Sequence, residues 1–416
     1  MIEPSQHAGQ PQPAAQSTPV GWEPLFAPAA QQLLSSLEQA IDAGESVFAL
    51  ASRLRAEQLP GDEVAALLTQ VELRRKARAK FGATASRMLF TQAGLEQASR
   101  AAVSIRHAER YRAAGLRTVA DLGCGIGSES LALIAVGIDA VAVELDPFTA
   151  RIAQHNLTSA DSGSASARVI VEDAQRVTLE GVDGAFLDPA RRTSGHRNTK
   201  RLTNPDDYSP SLDFAFGLSD RMPTGVKLGP GFDRELLPDA AEAQWISVDG
   251  QLVETGVWFG ALARAGVARS ALVIRNAESH ELTAAADAED ADERRLGDYL
   301  YEPDGAVIRA RLIGLLAEQL GAGMVSEGIA YLTADTLIPT PFAQTFRVLE
   351  QLPSSEKQLK RALSARGIGK LEIKKRGADV DPAALRTRLR LKGPHSATLF
   401  LTRIGGKHAA LLAERV

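Results

Sequence analysis

The segment at residues 186–197, FLDPARRTSGHR, combines a carboxylate, a proline and several cations. Its apolar start is typical of a buried strand, and Asp188 and Pro189 stand where that strand should end. A carboxylate there can accept a hydrogen bond from a bound amine, or it can cap the following turn. We favour the binding role if the strand belongs to a ligand-binding sheet, because ligands bind at the carboxyl ends of such strands.

A glycine loop lies 65 residues before Asp188, in the stretch VADLGCGIGSESLAL. Gly123, Gly125 and Gly127 directly follow an apolar strand pattern and precede a helical one. Glycines at such a junction allow a sharp turn and let a ligand approach the backbone closely. Glu144 closes the next strand, where its carboxylate can hold both hydroxyls of a ribose.

Two kinds of ligand fit a glycine loop followed by an acid. The dinucleotide fingerprint is G-x-G-x-x-G, but the spacing here is G-x-G-x-G, with Ser128 at the place of the last glycine. Asp121, just before the glycines, would repel a pyrophosphate but suits the ammonium and sulfonium groups of S-adenosylmethionine. An incidental turn is a poor explanation, because Glu144 and the strand-ending Glu172-Asp173 pair stand in register with the loop.

The glycine loop resembles motif I of the class I S-adenosylmethionine-dependent methyltransferases, and residues 117–276 share their strand and helix rhythm. The resemblance implies a Rossmann-like sheet and S-adenosylmethionine as cofactor. It also implies the cofactor contacts. The methionine part would lie against Asp121, Gly123, Gly125 and Gly127, the ribose against Glu144, and the adenine against Asp173 and the backbone amide of Ala174.

From about residue 21 onward, the chain resembles class I methyltransferases that carry a C-terminal THUMP-like domain. The stretches that carry this resemblance are KARAKF, GLEQASR, DLGCGIG, DPARR, KLGPGF, YLYEPDGAVIRA and KKRGADVDPAALRTRLRLKG. Relatives of THUMP-like domains bind structured RNA, so the resemblance implies an RNA partner, tRNA or rRNA.

The resemblance also gives the Asp188 segment a role. Enzymes that methylate amino groups of nucleic-acid bases carry an Asp/Asn-Pro-Pro-aromatic tetrad at the fourth strand. This chain has Asp188-Pro189-Ala190-Arg191, which keeps the acceptor carboxylate and the first proline. An arginine plane can stack on a base in place of the aromatic ring. We therefore predict catalytic roles for Asp188, Pro189 and Arg191. For the remaining charged residues, Arg192, His196 and Arg197, a solvated or phosphate-contacting loop is as good an interpretation as a catalytic role.

Charge is unevenly distributed along the chain. The net charge is −4, yet residues 356–416 hold 15 Lys/Arg against 5 Asp/Glu, a net of +10. Residues 277–305 hold 10 acids against 2 arginines. A basic C-terminal domain indicates phosphate-backbone binding. We predict RNA contacts at Lys374, Lys375, Arg376, Arg386, Arg388 and Arg390, with RRKARAK at residues 74–80 as a second contact.

The pattern along the chain predicts an α/β protein with flanking domains. Residues 1–20 form a disordered tail, 21–115 a helical domain and 116–276 the Rossmann-like methyltransferase domain. Residues 277–343 form an acidic linker and a connecting helical segment. Residues 344–416 show the order βαβαββ, as expected for the THUMP-like domain.

Several classes are disfavoured by composition. No apolar run is long enough for a membrane span, and the N-terminus lacks a signal-peptide pattern, so we expect a cytoplasmic protein. Cys124, the single cysteine, lies inside the glycine loop, which argues against disulfides and against a cysteine nucleophile for pyrimidine C5 methylation. The histidines show no zinc-site spacing, so no metal is expected.

Together these observations predict an S-adenosylmethionine-dependent methyltransferase that modifies a base nitrogen of structured RNA. Two alternatives stay open. The acceptor could be a protein or small molecule, with the basic domain only a packing module. Alternatively, the chain could be a non-catalytic RNA-binding protein with a vestigial methyltransferase fold.

Overall fold

The structure, a computed structural model, describes residues 18–160, 163–191 and 208–416, and for residues 190 and 191 the backbone only. Two compact units make up the chain. The first comprises residues 1–226 with 260–262, and the second comprises residues 227–259 and 263–416. The predicted tail at 1–20 therefore lies almost wholly outside the described residues.

The first unit begins with helices, as the apolar spacing of residues 21–115 predicts. They are α1 (Pro28–Asp42), α2 (Val47–Ala56), α3 (Gly61–Phe81), α4 (Gln92–Gln97) and α5 (Ala101–Ala113). Ser46 and Thr91 cap α2 and α4, each accepting a hydrogen bond from a backbone amide three residues later.

A run of strands and helices follows the N-terminal helices. Its elements are β1 (Thr118–Leu122), α6 (Ser128–Ala135), β2 (Asp139–Glu144), α7 (Pro147–Thr158), β3 (Ala167–Val171), β4 (Gly184–Leu187), β5 (Ala190–Arg191), β6 (Tyr208–Ser209), α8 (Leu212–Gly217) and β7 (Thr224–Leu228). The strands lie in the order β3-β2-β1-β4-β7, every pairing parallel, while β5 and β6 form a separate antiparallel pair. The order reverses between β1 and β4, which opens a ligand crevice at their carboxyl ends.

Asn156 on α7 joins the glycine loop to the N-terminal helices. Its side chain donates to the carbonyls of Leu89 (3.1 Å) and Ile126 (2.9 Å) and accepts from the amide of Leu89 (2.7 Å). Leu89, Ile126 and Asn156 are all buried, so these backbone groups are shielded from water and depend on the Asn156 side chain for their hydrogen bonds.

Most cations of the stretch at residues 74–80 form ion pairs or hydrogen bonds within this unit. Arg74 is fully buried and pairs with Glu38 at 3.3 Å, while the ammonium of Lys80 binds carbonyls at the end of α4. Arg78 pairs with Asp42 at 2.9 Å. The prediction of a second RNA contact is therefore wrong for Arg74, which is buried, while for Lys80 it stays a prediction.

The second unit contains β8 (Glu242–Val248), β9 (Gln251–Phe259), β10 (Arg269–Arg275) and β11 (Glu278–Ala284), in the order β11-β10-β8-β9. The expected end of sheet structure near residue 276 and the linker after it do not match the structure, because β11 pairs residue for residue with β10. Glu281 of this acidic segment pairs with Arg264 at 2.6 Å, which compensates its charge.

The following segment forms β12 (Tyr299–Pro303), α9 (Gly305–Arg309), α10 (Ile313–Leu320), β13 (Gly323–Met324) and β14 (Leu332–Ala334). The last elements are β15 (Ala343–Leu352), α11 (Glu356–Ala365), β16 (Ile368–Lys375), α12 (Pro382–Leu389), β17 (His395–Ile404) and β18 (Lys407–Arg415), which is the predicted βαβαββ order. They build a second sheet, β13-β14-β12-β15-β18-β17-β16, with α11 and α12 packed on one face. Among the described residues, no helix is both long and apolar enough to cross a membrane.

Candidate cofactor and acceptor site

The glycine loop has the conformation that only glycines adopt easily. Gly123, Gly125 and Gly127 have φ of 87°, 55° and 87°. A Cβ added at Gly123 or Gly125 would meet nothing within 4 Å, so the backbone borders open space. Glycine is thus required for the turn, and the loop leaves room beside its backbone for a ligand.

Asp121 lies on β1, two residues before Gly123. It is 2% exposed, and its Oδ2 accepts hydrogen bonds from the hydroxyl (2.7 Å) and amide (3.1 Å) of Ser130. Burial raises its pKa to about 7 against those bonds, and the charges of Glu129 and Asp188 add to the rise. A nearby cation would relieve this buried charge, so the position suits an ammonium or sulfonium group.

Glu144 ends β2 and ties the glycine loop to that strand. Its carboxylate accepts hydrogen bonds from the amides of Gly125 and Asp146, both at 3.0 Å. Burial raises its pKa, and these two amides oppose the rise. The carboxylate therefore sits at a fixed position beside the loop, where a ligand hydroxyl could reach it.

Asp173 and Ala174 follow β3 at the same edge of the sheet. Asp173 Oδ1 accepts a hydrogen bond from the amide of Gln175 at 2.9 Å, so this carboxylate stabilises the turn. The Ala174 amide forms no hydrogen bond within the part of the chain that the structure describes. It can therefore donate to a ligand.

Asp188 directly follows β4, whose Leu187 pairs with Leu122 of β1. Asp188 is partly exposed and Pro189 is buried, and the charge of Asp188 contributes to the raised pKa of Asp121. The backbone of Ala190 and Arg191 continues as β5, paired with β6. The Arg191 side chain and all of Arg192, His196 and Arg197 lie outside the described residues.

Sequence reasoning missed three buried polar residues on α5. Ser104, His107 and Tyr111 lie on α5, and all are buried. Ser104 and His107 contact Glu129, and the Tyr111 hydroxyl donates to the carbonyl of Ala185 in β4 at 2.6 Å. The available signal was their spacing of three and four residues, which puts polar side chains on one face of an otherwise packed helix.

Cys124 does not have the environment of a nucleophile. Burial raises the pKa of its thiol well above the ordinary value, and the charge of Asp121 adds to the effect. The thiol therefore stays protonated near neutral pH. No group of three or more potential metal ligands occurs within residues 18–160, 163–191 and 208–416.

The predicted RNA contacts divide between the two faces of the C-terminal sheet. Lys374 pairs with Glu302 at 2.6 Å, its side chain only 16% exposed, and Arg376 lies over the ring of Tyr331. Lys375, the next residue, is exposed on the side of β16 that carries α11 and α12.

The three arginines near α12 also differ in their surroundings. Arg386 donates to the carbonyl of Leu371 at 3.1 Å, and Arg388 pairs with Glu356 at 3.0 Å. Arg390 is exposed and takes a left-handed conformation as the C-cap of α12. The three arginines therefore differ in their surroundings, and Arg390 lies beyond the last residue of the helix that carries the other two.

A parallel sheet with this strand order, a glycine loop after β1 and an acid after β2 define a class I methyltransferase fold. The chain is 36% identical over 353 residues to an uncharacterized S-adenosylmethionine-dependent methyltransferase of Mycobacterium tuberculosis, found in strains CDC 1551 and H37Rv, and covers 94% of it. That alignment spans 83% of this chain. The protein therefore belongs to this family of S-adenosylmethionine-dependent methyltransferases, and S-adenosylmethionine is its cofactor.

Two further matches define its parts. Residues 343–415 match the THUMP domain-like family, and residues 19–77 match a domain family of unknown function. A crystal structure from Porphyromonas gingivalis W83, provisionally named a methyltransferase, aligns with a TM-score of 0.73 at 21% identity, covering 94% of this chain and 99% of that one. The predicted fold class and the THUMP-like C-terminal domain are confirmed.

Proposed function

We propose that this methyltransferase modifies a base nitrogen of structured RNA, tRNA or rRNA. The observation that carries the proposal is the position of Asp188. It directly follows β4, beside the crevice where the strand order reverses, and its charge acts on the buried Asp121. Two carboxylates so arranged can serve two ligands, one holding a cation and the other facing the acceptor.

The residues at the crevice fit S-adenosylmethionine. Asp121 would hold the ammonium of the methionine part, and Glu144 would accept hydrogen bonds from the ribose hydroxyls. Asp173 and the amide of Ala174 would contact the adenine. The open backbone at Gly123 and Gly125, together with a buried carboxylate, supports this assignment.

When bound, this cofactor supplies an electrophilic methyl group on a sulfonium sulfur. Asp188 would accept a hydrogen bond from the acceptor amine and so align the lone pair of the amine nitrogen with the methyl group. Its negative charge would offset the positive charge that develops on that nitrogen. Pro189 would limit the motion of the carboxylate, and the short pairing of β5 with β6 would hold the chain that follows it. Arg191 would stack on the acceptor base.

The C-terminal domain would hold the RNA backbone. It carries exposed cations that form no ion pair with any residue the structure describes: Lys357, Lys360, Arg361, Lys375, Arg390 and Lys392. Lysines and arginines placed in this way attract phosphates without reading sequence. The similarity of residues 343–415 to the THUMP domain-like family supports the same role.

Transfer of labelled methyl groups tests the proposal. The full chain would be incubated with methyl-tritiated S-adenosylmethionine and total RNA from cells that lack the gene. We expect acid-precipitable label that ribonuclease releases, and little label with Asp188→Ala. Label only in protein or in small molecules would overturn the RNA assignment.

A further inference from the structure

Helix α4 contains a glycine that its backbone conformation does not require. Gly94 lies inside the helix without a positive φ, and glycine destabilises a helix relative to alanine. A Cβ built at this position would overlap the Cγ2 methyl of Ile126 and would lie 2.8 Å from the Thr91 hydroxyl. Ile126 is the residue between the second and third glycines of the glycine loop. Glycine at residue 94 therefore lets α4 lie directly against that loop.

The Ile126 side chain belongs to the hydrophobic core of the N-terminal helices. It is 2% exposed and lies in one cluster with Leu95 of α4 and with Leu89 and Phe90, which precede that helix. Isoleucine is branched at Cβ, so in a packed core its Cγ2 methyl cannot rotate away without displacing the rest of the side chain. An overlap at Gly94 would therefore be relieved by a movement of α4 or of the glycine loop.

Helix α4 is fixed at both ends. At its start, the Thr91 hydroxyl accepts a hydrogen bond from the Gly94 amide at 2.9 Å. At its end, the ammonium of Lys80 donates to three backbone carbonyls, at distances between 2.7 and 2.9 Å. Leu95, in the middle, is buried in the core. A movement of α4 would break several of these contacts together.

The glycine loop, in contrast, borders open space. A Cβ at Gly123 or Gly125 would meet nothing within 4 Å. Two side chains hold the loop backbone: Asn156 donates to the Ile126 carbonyl at 2.9 Å, and Glu144 accepts from the Gly125 amide at 3.0 Å. A displaced loop would therefore also disturb Glu144, the residue proposed to bind the ribose.

We propose that Gly94 is a positioning residue, through which α4 holds Ile126 and with it the glycine loop in the conformation that binds the cofactor. The inference rests on the proposed function, in which this loop contacts S-adenosylmethionine. Two of the stretches that resemble the methyltransferase family meet here, because KARAKF supplies Lys80 and GLEQASR begins at Gly94. The N-terminal helices are then a functional part of the cofactor site.

An added methyl group at residue 94 gives a distinctive expectation. In Gly94→Ala, the free protein relieves the overlap by a movement of the loop, and cofactor binding must then reverse that movement against the strain. Cofactor affinity therefore falls, while the melting temperature of the free protein changes little, because alanine also favours the helix. In Ile126→Ala the overlapping methyl is absent, so adding Gly94→Ala to that variant should have little effect.

The test is calorimetric titration of the full chain with S-adenosylmethionine at pH 8, with thermal melting of each variant. We expect Gly94→Ala to weaken binding roughly tenfold or more. Gly61→Ala, at the start of α3, is the matched control, because its added Cβ meets nothing within 4 Å and its φ is not positive. Its affinity should equal that of the original protein. The double variant should bind about as well as Ile126→Ala alone.

Two results would overturn the inference. One is an unchanged affinity in Gly94→Ala, because α4 rather than the loop would then have moved. The other is an equal loss of affinity with and without the Ile126 side chain. If Gly94→Ala melts too low for titration, recovery of folding and binding in the double variant supports the inference, and no recovery overturns it. Absence of binding by the unaltered protein would instead overturn the proposed cofactor site, and this inference with it.

Discussion

At the scale of single residues, the proposed contact of the buried Asp121 with the cofactor would couple cofactor binding to pH. Its pKa of about 7 lies inside the physiological range, whereas an exposed aspartate titrates near 3.9. A cationic ligand binds the ionised form, so binding releases a proton wherever the free carboxyl is protonated. Sequence could place Asp121 before the glycines, but its burial and its two carboxylate neighbours needed the structure.

We predict that the affinity for S-adenosylmethionine weakens about tenfold from pH 8 to pH 6, as Asp121 becomes protonated. Asp121→Asn should bind more weakly at pH 8 and lose most of this dependence. Because the pKa of Asp121 is raised in the folded protein, ionising it lowers the stability of the fold as the pH rises from about 4 to 7. Asp121→Asn avoids this loss, so its melting temperature should exceed that of the original protein most at pH 8. Calorimetry and thermal melting at both pH values measure these effects, and equal pH dependence in the two proteins would contradict them.

Asp188 gives a second prediction at this scale. Asp188→Ala should lower methyl transfer by about a hundredfold or more, because the acceptor amine loses its hydrogen-bond acceptor. Asp188→Asn keeps an acceptor oxygen and should lose less. Cofactor affinity at pH 8 should change little in either variant. Single-turnover transfer and calorimetry separate the two effects, and equal losses in affinity and in rate would count against the acceptor role.

At the scale of elements, Asn156 on α7 links the glycine loop to the segment between α3 and α4. Asn156→Leu leaves buried groups of Leu89 and Ile126 without partners, at about 1–3 kcal/mol for each. We expect a clear loss of unfolding free energy and weaker cofactor binding. Gln154→Leu, on an exposed face of the same helix, is the matched control. Urea denaturation of both variants makes the comparison, and similar losses would refute the link.

The elements also indicate what sequence could predict. The strands β1 to β4 and the glycine loop have strong apolar runs and a clear turn signal, so their positions could be predicted. In contrast, β11 reads ESHELTA with only Leu282 buried, so its alternation is too weak to indicate a strand. Its pairing with β10 is a long-range interaction that local pattern does not contain. The polar face of α5 was missed for a similar reason, because Glu129 of α6 and the Ala185 carbonyl of β4, which it contacts, are distant in sequence.

At the scale of the whole chain, opposite charges that are separate in sequence meet in the C-terminal sheet. Glu302 comes from the acidic segment at residues 277–305, and Lys374 from the basic one. Their ion pair compensates the charge of Lys374, so we expect this lysine to contribute little to RNA binding. The sequence Lys374-Lys375-Arg376 at the end of β16 therefore suggests more surface charge than the structure presents there.

We predict different consequences for the two neighbouring lysines. Lys375→Ala should reduce the salt dependence of RNA binding by about one phosphate contact, with little change in stability. Lys374→Ala should lower the melting temperature, because Glu302 keeps a partly buried charge without its partner. Filter binding over a salt series and thermal melting provide the readouts. A steeper loss of RNA affinity with Lys374→Ala at equal stability would contradict this division.

We propose that a base nitrogen of RNA receives the methyl group. Mass spectrometry of modified nucleosides, in total RNA from cells with and without the gene, tests this proposal. We predict that one N-methylated nucleoside disappears in its absence. The original sequence should restore that nucleoside, and Asp188→Ala should not. Identical nucleoside profiles with and without the gene would contradict the proposed methylation of RNA.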